Sequence, residues 1–321
     1  MVDAVAPIDA ATDATDAALD AMIAGCVPTG AEICGDGIDQ DCSGEDQACE
    51  VNDRPDGAID ITAGGTFTAD LLHARDDLAN TGCNLDGGND VFYQIDLAAP
   101  EVYYFDTFTS PFDTSLRVFP GTPCTAVTGA IEAVCDNDEC ESLQSQLATP
   151  LPVGTSCVVV DKNYNNGQDS DLGAFQLHVV RGGRTGTALP RGMNTLTGDT
   201  CTGQNTSEPP AGVCEGVQNA KDLAFFFLAC PNTPAVVDAS TCVNVNNTHF
   251  DTELYISSVG GQSLACANDS ASCKVRPDRP KDPPDGSVLT AVTTTEPGLH
   301  WLVVDGYSAA CGRYQLDTNY R

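Results

Sequence analysis

Residues 32 to 50 read Glu-Ile-Cys-Gly-Asp-Gly-Ile-Asp-Gln-Asp-Cys-Ser-Gly-Glu-Asp-Gln-Ala-Cys-Glu, a run of carboxylates, glycines and cysteines with almost nothing to bury. A hydrophobic core cannot hold such a segment. Counting from Asp39, oxygen donors stand at the first, third and fifth positions (Asp39, Asp41, Ser43), a glycine at the sixth (Gly44) and a carboxylate at the twelfth (Glu50). That is the order in which a calcium loop supplies its ligands. Asp36 and Asp46 add further carboxylates. Hard oxygen donors, with neither histidine nor methionine among them, favour calcium over copper. An EF-hand proper is not expected, because Asp46 stands where an apolar residue belongs, Cys42 and Cys49 interrupt the loop, and no amphipathic helix flanks it. The alternative is a knot held by disulfides alone, with its acids solvated. Cys26, Cys34, Cys42 and Cys49 allow three pairings, and spacing does not choose among them.

The same stretch resembles the MopE-type metal-binding motif through Glu32, Cys34, Asp36, Gly37, Asp39, Asp41, Cys42, Gly44 and Asp46. The resemblance implies a metal-binding segment in a surface protein.

The whole chain carries 46 acidic and 14 basic residues, a formal charge of -32. A nucleic-acid or anionic-membrane surface needs Lys and Arg to displace counterions, so both are excluded as expected partners. The 16 cysteines include no Cys-x-x-Cys pair, which argues for disulfides rather than thiolate ligation, and so for an exported protein at the cell surface or outside it. Met1 is followed by an acidic stretch with no basic and then apolar leader, so a signal peptide or lipid anchor is expected to have been removed. Ile23-Ala-Gly-Cys26 has the shape of a lipoprotein cleavage box, but its acidic approach makes Cys26 a disulfide partner instead. No stretch is long and apolar enough for a transmembrane helix.

Composition divides the chain into four parts. Residues 1–25, rich in Ala, Asp and Thr, read as an acidic low-complexity tether. Residues 26–50 form the cysteine-rich module. From residue 51 onward, short runs of Val, Phe, Tyr and Thr alternate with Gly, Pro, Asn and Asp clusters, the texture of an all-β sandwich. Asp90–Leu97 alternates as a half-buried strand, and Cys157–Asp161 reads as a strand buried on both faces. An internal repeat sets the boundary between residues 51–181 and 182–321. Phe112-Asp-Thr-Ser-Leu116, Cys135-Asp-Asn-Asp138, Val158-Val-Val-Asp161 and Gly173-Ala-Phe-Gln-Leu177 recur in order as Phe250-Asp-Thr-Glu-Leu254, Cys266-Ala-Asn-Asp269, Leu302-Val-Val-Asp305 and Gly312-Arg-Tyr-Gln-Leu316. The second copy is longer between its second and third motifs, and Lys274–Pro284 is the expected surface insertion.

These motifs resemble the bacterial pre-peptidase C-terminal family, over residues 51–181 and again over 182–321. The second copy departs from the pattern at its start, where Asp222-Leu-Ala-Phe-Phe-Phe-Leu replaces Asp-Val-x-Tyr. The resemblance implies two tandem jelly-roll-like β-sandwiches of the kind appended to secreted peptidases and surface proteins. The fold expected is therefore all-β: an acidic tether, a small disulfide-rich module and two tandem sandwiches.

Within the sandwiches Asp113, Asp136 and Asp138, matched by Asp251 and Asp269, offer a loop calcium site in each copy or, without metal, Asx-turns and strand-end caps. Asp161 and Asp305 read as turn-formers after their strands. Sequence proximity suggests disulfides Cys230–Cys242 across the Pro231–Pro234 turn, Cys266–Cys273 and Cys124–Cys135. Five cysteines in one copy and seven in the other require a bridge between copies or a free cysteine in each. The four histidines have no zinc spacing, and no Gly-x-Ser-x-Gly elbow or phosphate-binding glycine loop occurs. Trp301 reads as a core residue rather than a sugar platform. The function expected is a non-enzymatic binding or structural protein whose partner is an extracellular protein, a polysaccharide or another copy of itself. Alternatives are a targeting module for a hydrolase, a self-assembling fibre subunit, and a hydrolase with an unrecognised site.

Overall fold

The computed structural model describes residues 26–30, 32–78, 88–127, 134–138, 140, 142–163, 173–207, 214, 219–242, 250–273 and 286–321. The tether and the Lys274–Pro284 insertion lie outside the described residues. The first sandwich is built from β1 (Ile59–Asp60), β2 (Gly65–Asp70), β3 (Asp90–Leu97), β4 (Glu101–Asp106) and β5 (Thr114–Phe119). It continues with β6 (Val134–Asp136), β7 (Gln146–Leu151), β8 (Gly154–Lys162) and β9 (Ala174–Arg181). The second comprises β10 (Thr187–Ala188), β11 (Gly192–Asp199), β12 (Leu223–Ala229), β13 (Ala235–Ser240) and β14 (Thr252–Ser258). Its remaining strands are β15 (Ser263–Asn268), β16 (Val288–Thr294), β17 (Gly298–Gly306) and β18 (Arg313–Tyr320). Only short 3₁₀ turns accompany them among the described residues, and no helix there is long and apolar enough to cross a membrane.

Each sandwich is a five-stranded sheet packed on a four-stranded one, and the second repeats the pairing order of the first. Order β1-β3-β8-β5-β6 becomes β10-β12-β17-β14-β15, and β2-β9-β4-β7 becomes β11-β18-β13-β16. The sequence repeats fall on equivalent strands. Alternating apolar residues from the facing sheets fill each core: Tyr93, Ile95, Leu116 and Val160 meet Phe105, Phe175 and Leu177 in the first. Phe225, Phe227, Leu254 and Leu302 meet Val237, Tyr314 and Leu316 in the second. The divergent Asp222–Leu228 segment occupies the place of β3, as β12.

Polar networks are duplicated too. Thr107 Oγ1 lies 2.6 Å from Thr114 Oγ1 and accepts the Ser145 N–H at 3.0 Å; Thr241, Thr252 and Ser287 repeat this at 2.7 and 2.9 Å. In both copies the serine hydroxyl donates to the carbonyl of the second threonine. Asp90 Oδ2 accepts the N–H groups of Asp77 and Leu78, and Asp222 Oδ2 those of Thr206 and Ser207.

Three readings from sequence need correction. Asp90–Leu97, read as half-buried, buries Phe92 on the face opposite Tyr93 and Ile95, because Leu78, Phe119, Cys124, Val127 and Val159 cover it. Asp161 and Asp305 are not turn-formers: both lie within strands and are buried. Arg117, itself buried, sits 3.5 Å from Asp161, whereas its counterpart beside Asp305 is Tyr255.

The disulfides are the third. Cys124 pairs with Cys157, Cys140 with Cys230, Cys201 with Cys311, Cys214 with Cys266, and Cys242 with Cys273. Cys135 is also disulfide-bonded, and no cysteine is free among the described residues. Pro231–Pro234 joins β12 to β13, which belong to different sheets, so the cysteines flanking it are not cross-strand neighbours. The odd counts resolve through Cys140–Cys230, which bridges the two sandwiches.

The sandwiches stack into four layers. Val102 and Tyr104 on the outer face of the first four-stranded sheet meet Ala224, Phe226, Leu299, Trp301 and Val303 on the second five-stranded sheet. Trp301 is a core residue, as expected, but of this interface: it is 1% exposed, with Phe226 edge-on at 6.2 Å and the Arg184 guanidinium 5.3 Å above its ring. The linker passes so close that a Cβ on Gly182 or Gly186 would lie 2.9 or 2.5 Å from the indole.

Candidate metal centre

Two disulfides, Cys26–Cys42 and Cys34–Cys49, cross-link the cysteine-rich module and choose one of its three possible pairings. Loop closure of this kind stabilises by restricting the unfolded chain. Gln40, buried, spans the module's interior: its side chain accepts the Ile33 N–H at 3.1 Å and donates to Asp36 Oδ2 at 2.6 Å. Glycines supply the turns, and Gly35 and Gly37, both with positive φ, aim their N–H groups at the Asp46 carboxylate, at 2.9 and 2.7 Å.

One carboxylate oxygen from each of Glu32, Asp39 and Asp41 lies within 4.8 Å of the others. Oxygens about 2.4 Å from a calcium ion stand at most roughly 4.8 Å from one another, so the three fit one coordination sphere. Asp39 is fixed by the N–H groups of Ser43 and Gly44, each at 2.9 Å, and Asp41 by the Ser43 N–H at 2.8 Å. The Ser43 hydrogen bonds hold the Asp41 carboxyl below its ordinary range. Glu32 accepts the N–H groups of Gln40 and Asp41 on Oε2, while its Oε1 is enclosed and has no hydrogen-bond partner. An enclosed anionic oxygen without a donor is costly unless something cationic meets it.

The residues picked out by spacing are thus divided. Asp39 and Asp41 converge. Asp36 accepts the Ile38 N–H and the Gln40 amide, Asp46 caps the two glycines, and the Ser43 hydroxyl reaches the Glu45 carbonyl at 3.5 Å. Glu50 turns to the first sandwich, where Oε1 accepts the Asp70 N–H at 2.9 Å. Glu32 was visible only as a motif position, upstream of the twelve-residue template.

In the sandwiches, Asp113 and Asp251 precede β5 and β14, and their carbonyls accept the N–H groups of Asn163 and Tyr307. Asp136 Oδ2 accepts the Gln146 N–H at 2.8 Å. Asp138 is exposed, and Asp269 follows β15 with φ of +49°. Among the described residues none of these five joins two other ligand atoms. The groups Cys34, Cys49, Asp53 and Cys214, Glu253, Cys266 do cluster, but their sulfurs are in disulfides and offer no thiolate.

No protein-family model matches the chain, and no curated protein does. Solved structures similar to it include the pre-peptidase C-terminal domain of a collagenase from Bacillus anthracis, at 12% identity over 38% of this chain and 94% of that one, with a TM-score of 0.26. The human CUB1-EGF-CUB2 domain of MASP-1/3 covers 80% of this chain and 99% of its own, at 8% identity and a TM-score of 0.19. The M60 catalytic domain with two CBM51 domains from Clostridium perfringens ZmpB covers 73% and 34%, at 9% identity and a TM-score of 0.19.

One other constellation bears on catalysis. Asp106 Oδ2 lies 3.0 Å from Nδ1 of half-exposed His178, the acid and base of a triad. Among the described residues no hydroxyl or thiol is hydrogen-bonded to His178. Among the described residues the arrangement is a dyad.

Proposed function

We propose that the chain is an extracellular or cell-surface protein, non-enzymatic, whose cysteine-rich module binds one calcium ion through Glu32, Asp39 and Asp41. The observation that carries this reading is the convergence of the three carboxylates, one of which, Glu32, has an enclosed and unpartnered Oε1. The donor set is all oxygen, which suits a hard cation and gives copper little advantage. The ion would offset the mutual repulsion of the three acids and stiffen a segment otherwise held by two disulfides. The compartment follows from redox chemistry: cross-links as dense as these form and persist where thiols are oxidised. The partner in this reading is an extracellular protein or polysaccharide.

Isothermal titration of the non-reduced, chelator-treated protein with calcium tests the proposal, with Asp39→Asn/Asp41→Asn in parallel. Saturable heat is expected from the wild type and none from the double variant. Thermal unfolding should shift upward with calcium, by about 2.7 kcal/mol for a site coupled to global unfolding at a hundredfold excess over Kd. Heat that is absent, or unchanged in the double variant, refutes the site.

A further inference from the structure

We infer that the cleft between the two sandwiches is a second binding site, one that accepts a cationic side chain, arginine or lysine, of a polypeptide partner. It is independent of the calcium site. Beside the apolar cluster that holds Tyr104 and Trp301, the two sandwiches leave a cavity of about 610 Å³. Ligand sites commonly have this size and lie at domain boundaries. β4 and β9 line one side, and the turns joining β14 to β15 and β16 to β17 line the other.

Two carboxylates, Asp106 and Glu296, line the cleft. Asp106 is nine-tenths buried; its Oδ1 accepts the Phe108 N–H at 3.3 Å, and its Oδ2 lies 3.0 Å from Nδ1 of His178. Glu296, exposed, adds a second carboxylate at the mouth. No lysine or arginine lines the cleft among the described residues. A carboxylate in a partly enclosed, low-dielectric site is satisfied best by a charged donor. The wall formed by Val180 and Leu299 would take the aliphatic stem of such a side chain while its head reaches Asp106. A sugar fits less well. The Tyr104 ring, on which a sugar could stack, is 2% exposed and covered by Gly298, whose added Cβ would lie 3.6 Å from it.

The full-length, non-reduced protein, labelled at histidine, is titrated with the peptide acetyl-Gly-Arg-Gly-amide and followed through the His178 ring signals. Acetyl-Gly-Gln-Gly-amide and maltohexaose serve as separate comparisons. Saturable shifts are expected with the arginine peptide only. Binding should weaken about tenfold or more in Asp106→Asn, the loss of one hydrogen bond to a charged group. It should weaken a few-fold in Glu296→Gln, an exposed change that leaves the fold intact whatever Asp106→Asn does. No shift with the arginine peptide, equal shifts with the glutamine peptide, or unchanged binding in Glu296→Gln overturns the proposal. A saturable response to maltohexaose alone also overturns it and assigns the cleft to a glycan.

Discussion

Asp90 sets two opposed effects against each other, and their balance decides how the first sandwich responds to pH. Its side chain is buried at the start of β3, Oδ2 accepts the N–H groups of Asp77 and Leu78, and Oδ1 has no partner. The two donors favour the carboxylate. Loss of water disfavours it, as do the charges of Asp76 and Asp77, and together they push the pKa from 3.8 to about 8. At neutral pH the folded protein therefore holds a proton that the unfolded chain releases. Because the folded value is the higher one, its contribution is fully present below about pH 4 and is lost as pH rises toward 8. Each pH unit within that window costs about 1.4 kcal/mol, so from pH 4 to 7 the wild type loses about 4 kcal/mol through this residue. Asp90→Asn keeps the shape and neutral state but has no proton to lose. At roughly 2–4 °C per kcal/mol, the thermal midpoint of the variant should gain roughly 10 °C on the wild type between pH 4 and 7. Midpoints that run parallel across this range would refute the reasoning and mean that the two N–H groups keep Asp90 ionised.

His300 works in the other direction. It is buried against Phe227, donates from Nε2 to the Glu296 carbonyl, and is held by desolvation below its ordinary pKa, so stability is lost as pH falls below about 6.5, where only the unfolded chain takes up the proton. His300→Phe should flatten that part of the acid slope in thermal melts. Gly186→Val would drive a side chain into Trp301, 2.5 Å from the position of its Cβ, and overpacking of this kind costs about 1–3 kcal/mol. The chain has a single tryptophan, so its fluorescence should shift to the red as the interface loosens. Replacing both Cys140 and Cys230 with serine opens a bridge between residues 90 apart and should cost about 2–4 kcal/mol, splitting the calorimetric transition into two.

What could be read from sequence was local order. Asp90–Leu97 is a strand with the predicted ends, because alternation and its flanking turn residues are properties of the segment itself. The repeated motifs mark equivalent strands for the same reason. Pairing across sheets was not legible: Cys140 and Cys230 meet only because one sandwich stacks on the other, and no spacing encodes that. The calcium template found Asp39 and Asp41 but also Ser43 and Glu50, whose spacing is right and whose side chains turn to the Glu45 carbonyl and the Asp70 N–H. It passed over Glu32, which reaches the site through a chain reversal that the disulfides impose.

The same stacking bears on whether copies of the chain could assemble end to end. The first four-stranded sheet docks through Val102, Tyr104 and Val180. Aligning the repeats puts Val236, Asp238 and Asn319 at the matching positions of the second, and Asp238 is ion-paired to Arg321 at 2.6 Å. A face bearing a carboxylate where its counterpart has tyrosine cannot bury itself against another sandwich without stripping water from charge. At the opposite end, the five-stranded sheet of the first sandwich is closed by Leu78, Val127 and the Cys124–Cys157 bridge. On these grounds stacking is expected to end within one chain. The edges β7 and β16 are protected in turn, β7 by Pro150 and β16 by Ala291, whose φ of +48° breaks the ladder. An Asp238→Tyr/Arg321→Ala variant would restore an apolar patch on the outer sheet, and concentration-dependent association in sedimentation is the expected outcome. A variant that stays as monodisperse as the wild type would show that charge is not what ends the stack.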